Sequence, residues 1–388
     1  MSIAELPVAR AGRYANATPA ETPLTIAMVS TQRGYRGGEI QLRLLAQGFR
    51  RAGHRPIVVA RRDGALARRM AAENFDVLPF AGGGRNPLVL WSVRKELARL
   101  APDVLYFNDS HALSGLGLMT RGLPIGARVA ARRVSFPIRA AWTYRRLSDV
   151  VLASSAAVGL ACRTGGVPAE QVRVVCDGLP PLPAPSAPRD QLRRALGYGP
   201  NDQVMLTVGA LTGEKGHAVM LGALALLAEE YPRLRWACAG EGPLLAGLIK
   251  EAEYRGIHER IQFLGQREDV PDLLAACDAF VLLSHYEGLC NAAIEALYAR
   301  APLVLSEAGG LKEIAGVDDP DGPVARVTPV GGSVAVAAAI EEVLASPEKN
   351  RWMAERGFER VNRLFTADRM VAETLAVFRA AIAANPQS

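Results

Sequence analysis

The 388 residues predict an α/β protein of two doubly wound domains, each a parallel sheet covered by helices on both faces. Three observations predict it. Short apolar runs alternate with amphipathic stretches along almost the whole chain, the pattern of repeated strand–helix–strand units. A proline-rich link, Pro180-Pro181-Leu182-Pro183-Ala184-Pro185-Ser186-Ala187-Pro188, breaks that alternation near the middle and can continue neither helix nor strand. The length itself favours two cores over one.

Residues 1–22 mix Ala, Pro, Thr and charge without an apolar stretch, and read as a flexible tail rather than a signal peptide. A strand over 24–30 runs through Gly37-Gly38-Glu39 into a helix that reaches about residue 52. Strands follow over 56–60, 76–80, 103–107, 127–131, 150–153 and 172–176, with helical periodicity between them, as over 87–100. These make a first domain of residues 23–185. After the proline-rich link, strands over 204–208, 234–239, 261–264, 279–283, 303–306 and 324–327 build a second domain, 186–365. The closing segment, 366–388, is apolar at helical spacing and is expected to pack back across the hinge onto the first domain. Two such domains enclose a cleft, a preferred place for ligands.

A hydrophobic content of 49% with 22% charged residues excludes a disordered chain, and no apolar run reaches the length of a membrane span. Five cysteines form no Cys-x-x-Cys pair and have no histidine at metal spacing. They predict reduced thiols in a cytoplasmic setting, with neither disulfides nor a metal site. Charge is divided unevenly. Residues 1–185 hold 25 basic against 12 acidic side chains, and the remainder holds 20 against 27. An anionic partner is therefore expected at the first half. Of its 25 basic residues 24 are arginine, which suits forked contacts to phosphate. A GC-rich coding bias would explain the arginines but not the asymmetry. No motif for nucleic-acid binding accompanies them.

The most informative segment runs Ser284-His285-Tyr286-Glu287-Gly288-Leu289-Cys290-Asn291-Ala292-Ala293-Ile294-Glu295. Glu287 lies in a turn after an apolar strand, and Glu295 lies inside the next helix. Open α/β sheets bind ligands where a strand's carboxyl end meets a helix N-terminus, whose free N–H groups attract anions. Lys215, in Gly209-Ala210-Leu211-Thr212-Gly213-Glu214-Lys215-Gly216, occupies a second such turn, where a flexible cation neutralises a diphosphate. The spacing is not that of a P-loop. Gly240-Glu241-Gly242-Pro243 and Phe263-Leu264-Gly265-Gln266-Arg267 close two further strands. Gly309-Gly310-Leu311-Lys312-Glu313 follows another and is expected to bring bare backbone close to a ligand.

In this order and spacing the markers resemble the donor domain of glycosyltransferase family 4, of GT-B fold, and the resemblance runs from about Leu24 to the end of the chain. It implies retaining transfer of a sugar from a nucleotide-diphosphate donor to an acceptor hydroxyl, with neither metal nor other cofactor. By it, Glu287 would accept hydrogen bonds from the donor sugar and Glu295 from the ribose. Lys215 would stabilise the diphosphate, continued by the backbone of Gly288 and Leu289. Gly209, Gly265, Gln266 and Arg267 would line the rest of the donor site. Gly37 and Gly38 resemble the family's glycine loop, which approaches the diphosphate. Either Asp109 or His111, beyond the 103–107 strand, would orient an acceptor hydroxyl, although His111 reads equally as a helix-start histidine. Cys290 reads as a packing residue.

Two departures stand out. Ala210 occupies a position where many members of the family carry arginine, and Asn108 stands where histidine is common. Arg132-Arg133 replaces a histidine-bearing motif, and Arg133 is the residue expected to supply the missing charge. Arg128, Arg132, Arg133, Arg139, Arg145 and Arg146 surround Phe136 and Trp142. That stretch predicts peripheral docking on the cytoplasmic leaflet and a lipid-linked or lipopolysaccharide-type acceptor in cell-surface glycan synthesis. Two other readings remain open at this point. One is a nucleotide-sugar epimerase on the same fold; the other is a non-catalytic sugar-nucleotide-binding protein, suggested by Ala210.

Overall fold

The computed structural model describes residues 22–82 and 86–385. Nearly all of the expected tail, and the last three residues, lie outside these. Thirteen strands form two sheets. The first holds β1 (Thr25–Ser30), β2 (Arg55–Arg61), β3 (Asp76–Phe80), β4 (Val104–Phe107), β5 (Ala127–Arg132), β6 (Val150–Ala153) and β7 (Val172–Val174) in the order β3-β2-β1-β4-β5-β6-β7. The second holds β8 (Gln203–Val208), β9 (Leu234–Ala239), β10 (Ile261–Gly265), β11 (Ala279–Leu282), β12 (Leu303–Ser306) and β13 (Arg326–Thr328) in the order β10-β9-β8-β11-β12-β13. Every pairing is parallel.

Helices on both faces explain why the strands read as apolar runs. All four residues of β4, of β11 and of β12 are buried. Differences from the sequence reading lie at the strand ends. The strand expected over 172–176 stops at Val174, because the chain leaves the sheet edge there and Asp177 turns inward to meet Arg133. The strand expected over 324–327 is instead Arg326–Thr328, since Val324 and Ala325 pack before the sheet begins.

Strand order fixes where a ligand can bind. Each sheet reverses direction once, between β1 and β4 in the first and between β8 and β11 in the second. At such switch points neighbouring loops diverge and leave a crevice. Four of the loops named from the sequence follow these strands: Gly37-Gly38 after β1, Asn108-Asp109 after β4, Gly209–Lys215 after β8 and Ser284–Cys290 after β11.

The domains are tied both beside the hinge and across the cleft. Helix Ala367–Ala383 returns to the first sheet, where Phe378 packs on Phe49 and Tyr106 with ring centroids 5.6 and 6.0 Å apart. Beside it the two connecting segments run together: Leu179 N donates to Phe365 O and Ala367 N to Leu179 O. Across the cleft, the Glu313 carboxylate accepts from the backbone N–H groups of Ala156 and Ala157, both at 2.8 Å, and so caps helix Ala156–Thr164 of the other domain. A carboxylate at a helix N-terminus satisfies free donors and complements the helix dipole. Glu313→Ala leaves both donors bare. It is expected to lower unfolding free energy by about 1–3 kcal/mol in urea titration; an unchanged midpoint would show that the cap does not hold the domains together.

Candidate functional site

The second domain builds its half of the site from two loops packed backbone to backbone. A tight turn over Gly213–Lys215 ends at Gly216, whose φ of +68° is the left-handed conformation natural to glycine. A Cβ there would lie 1.9 Å from the Leu283 carbonyl oxygen, so the turn sits directly on the end of β11. His285 N donates to Glu214 O at 2.7 Å and locks the two loops. Lys215 consequently lies over Gly209, and its Nζ meets Glu287 Oε2 at 2.5 Å. Ser284 Oγ donates to the same oxygen at 3.0 Å. Both charged side chains are largely buried, at 17% and 12% exposure. Burial works against the Lys215 charge, but the Glu287 carboxylate bonded to it outweighs that and holds the ammonium above the usual lysine range.

Helix Asn291–Tyr298 starts immediately after this loop. Burial, reinforced by Glu287, pushes the Cys290 thiol up to about 11, so it remains protonated at neutral pH and fits the packing reading. Glu295, one turn into the helix, is the contrast to Glu287. Among the described residues no donor meets its carboxylate, and burial pushes its pKa up to about 7. Gly265 stands at the end of β10 with φ +65°, and its carbonyl accepts from Gly240 N at 2.7 Å. Gln266 and Arg267 follow, with Arg267 Nε bonded to Asp269 at 2.7 Å.

The first domain meets this half closely. Gly37 and Gly38 open helix Gly37–Arg51, and a Cβ on Gly37 would stand 3.7 Å from Asn291 Nδ2. Gln41, fully buried, donates from Nε2 to Asn291 Oδ1 at 3.0 Å. Neither partner was singled out in the sequence; the available signal was a glutamine within the apolar face formed by Leu42, Leu44 and Leu45. Gly288 touches the other domain even more tightly, since a Cβ there would lie 1.9 Å from the Arg133 carbonyl oxygen. Added Cβ atoms on Gly309 and Gly310 would meet the carbonyls of Glu287 and Gly288 at 2.0 and 1.7 Å. These three glycines therefore bring protein backbones together. On the side a Cβ would occupy, the space at Gly309-Gly310 is filled by protein backbone. Leu289 is buried beside them.

Of the three candidates on the acceptor side, Asp109 and Arg133 have other partners. Asp109 accepts from Thr31 N and Oγ1 and from the N–H groups of His111 and Ala112, so its carboxylate is taken up in capping a short helix. His111 is exposed and borders an apolar groove with Pro87, Leu90, Leu118 and Met119. Arg133 does not replace the charge missing at Ala210. Its Nε bonds both Asp177 oxygens at 3.1 Å, Nη1 bonds Asn108 at 2.8 Å and Nη2 bonds Tyr106 at 2.9 Å. Asn108 in turn donates to Gly38 O at 3.2 Å, so this buried network supports the glycine loop from below. Of the six arginines expected at a surface, Arg128 and Arg132 are likewise engaged internally. Arg139, Arg145 and Arg146 are exposed.

Two Rossmann-like domains that present the carboxyl ends of their strands to one cleft constitute the GT-B fold. Residues 35–181 match the family model described as Glycosyltransferase Family 4, and residues 188–360 match Glycosyl transferases group 1. The chain belongs to glycosyltransferase family 4. It is 28% identical over 319 residues to a GDP-mannose-dependent alpha-(1-6)-phosphatidylinositol dimannoside mannosyltransferase of Mycobacterium tuberculosis, covering 78% of this chain and 80% of that protein. It is 33% identical to mannosylfructose-phosphate synthase of Agrobacterium fabrum over 34% of this chain and 30% of that one. Several curated relatives match over only 30% to 51% of their own length. The fold is similar to that of Anabaena HepE, crystallised with UDP and glucose, with a TM-score of 0.81 at 23% identity over 91% of this chain and 99% of that one. Sucrose-phosphate synthase from Thermosynechococcus elongatus gives 0.76 at 18% identity, over 93% and 100%. Among the described residues no helix is long and apolar enough to cross a membrane, and no group of three or more metal-ligating side chains converges.

Glu295 carries a stability signature. Its pKa in the folded protein lies above the ordinary 4.5, so the folded state prefers the protonated acid. That contribution is present below about pH 4.5 and is lost as pH rises through about 7. Between about pH 5 and about pH 8 urea titration should show a loss of about 1–3 kcal/mol that Glu295→Gln removes. An identical pH slope in the variant would mean that the carboxylate is not held in a desolvated setting.

Proposed function

We propose that the protein transfers a hexosyl group from a nucleoside-diphosphate sugar to an acceptor hydroxyl with retention and without a metal ion. The observation that carries this reading is the Lys215–Glu287 pair at the start of helix Asn291–Tyr298, with Glu295 unpaired one turn further on. The bond between the sugar's anomeric carbon and the diphosphate breaks as the bond to the acceptor oxygen forms, and the acceptor proton leaves with the diphosphate. Negative charge therefore gathers on the leaving group, and stabilising it is the main task. Lys215 can turn from Glu287 to the diphosphate, and the free N–H groups of the helix extend the same anion site. Glu287, released from the lysine, accepts hydrogen bonds from sugar hydroxyls, and Glu295 accepts them from the ribose.

The proposed acceptor is lipid-linked, as in cell-surface glycan or lipopolysaccharide synthesis, with the enzyme held peripherally at the cytoplasmic face of a membrane. Support comes from the basic first half and from exposed Trp142 beside Arg139, Arg145 and Arg146. The apolar groove at His111 adds to it, and helix Pro87–Leu100, which contributes Pro87 and Leu90 to that groove, also carries Leu88 and Trp91 at 77% and 50% exposure. A second reading, a sugar-nucleotide-binding protein without turnover, draws on Ala210, which leaves Lys215 without a neighbouring arginine in its own domain loop.

Lys215→Ala and Glu287→Ala are each expected to lower transfer or donor hydrolysis by at least about 100-fold in protein that still folds, with a lowered thermal midpoint because the partner charge is left buried and unmatched. Full activity in either would remove the roles assigned to them. Co-sedimentation with anionic phosphatidylglycerol vesicles should be strong at low salt and weaken at about 0.5 M salt. No pelleting at any ionic strength would rule out the peripheral docking.

A further inference from the structure

The leaving group in the proposed reaction is a polyanion, yet its site in the second domain holds one full cation. Lys215 is shared with Glu287, and Ala210 adds no charge. The helix N-terminus contributes only partial charge. Arg133 is committed to Asp177, Asn108 and Tyr106. Arg33, in the loop after β1, pairs with Asp63 at 3.0 Å.

Arg36 differs from all of these. It is exposed, and among the described residues no carboxylate pairs with its guanidinium. Its backbone is fixed, because Arg36 N donates to the buried Glu39 carboxylate at 3.2 Å and Arg36 O accepts from Ile40 N at 3.0 Å. The next residue, Gly37, abuts Asn291 at the head of the donor helix. From the other side, burial works against the charge of Glu214, but the Thr212 hydroxyl and its own backbone N–H outweigh it, with smaller contributions from Lys215 and, least, Arg36, and hold the carboxyl below its usual range. Arg36 thus stands immediately before the helix that meets Asn291, the residue that opens the helix following the Glu287 loop.

We propose that Arg36 is the second cation of the diphosphate site, supplied by the first domain across the cleft where the second domain offers only Ala210. A guanidinium suits the task, because two of its N–H groups fork onto two phosphoryl oxygens. Stabilisation of the leaving group then requires both domains to be brought together. The inference rests on the nucleotide-sugar reading above and adds a residue that the family resemblance does not assign.

The test uses the full chain and calorimetry with UDP, GDP and ADP, each beside its monophosphate. Arg36→Gln should weaken the diphosphate that the parent binds by about tenfold and leave the corresponding monophosphate within about twofold. Arg36→Lys should keep most of the affinity. Turnover should fall about 100-fold in Arg36→Gln with an unchanged thermal midpoint. Unchanged diphosphate affinity in Arg36→Gln, or an equal loss for the monophosphate, would overturn the proposal while leaving a functioning transferase. A parent that binds a diphosphate without turnover would instead count against the transferase reading, and the affinity arm would still decide the role of Arg36. A parent that binds none of the six nucleotides would overturn both.

Discussion

The whole site depends on one buried ion pair. Lys215 and Glu287 meet at 2.5 Å with little exposure, and a charge so placed is tolerated only when it is matched. The pair lets the second domain fold with a desolvated ammonium and a desolvated carboxylate already aimed into the cleft. It also ties the two to a common fate. A ligand that presents phosphate to the lysine must free the glutamate, which then has acceptor capacity for hydroxyl groups. Ser284 keeps one hydrogen bond on Glu287 and so limits how far the carboxylate can turn. Ligand recognition on this scheme is an exchange of partners between groups that are already in position, which is the sense in which a site is preorganised.

Glycine makes that placement possible. Gly216 allows the lysine turn to rest on the end of β11, and Gly288, Gly309 and Gly310 allow three backbone segments to stack beneath the cleft. One of those contacts, Gly288 on the Arg133 carbonyl, crosses between domains. With Gln41 on Asn291, Phe136 on Tyr286 and Glu313 on the helix at Ala156, it fixes how the glycine loop faces helix Asn291–Tyr298. The apposition mixes polar and backbone contacts with one partly exposed aromatic pair, of the kind that separates and rejoins more readily than an apolar core.

Much of the fold was legible because buried parallel strands read as apolar runs and glycine or proline marks their ends. All thirteen strands were placed within a few residues. Lys215, Glu287 and Glu295 were legible for a related reason: each stands at a fixed offset from a strand end, and strand ends at switch points are where ligands bind. What escaped was contact between residues far apart in sequence. Arg133 finds Asp177 44 positions away, and Gln41 finds Asn291 250 positions away. No local pattern announces either. An arginine engaged by a buried aspartate looks, in one dimension, the same as one waiting for phosphate, which is why Arg133 was expected to be free and the basic stretch around it was overcounted. The glycines are ambiguous in the same way, since the absence of a Cβ does not say whether ligand or protein fills the space.

The central claim is that Glu287 and an incoming diphosphate compete for Lys215. Calorimetry on Glu287→Gln, with the nucleoside diphosphate that the parent binds best among UDP, GDP and ADP, tests it most directly. Removing the competitor's charge should leave affinity for the sugar-free diphosphate equal to the parent's or raise it by up to about tenfold, while transfer from the matching sugar nucleotide falls at least about 100-fold. Diphosphate binding weakened tenfold or more in a variant that folds normally would contradict it.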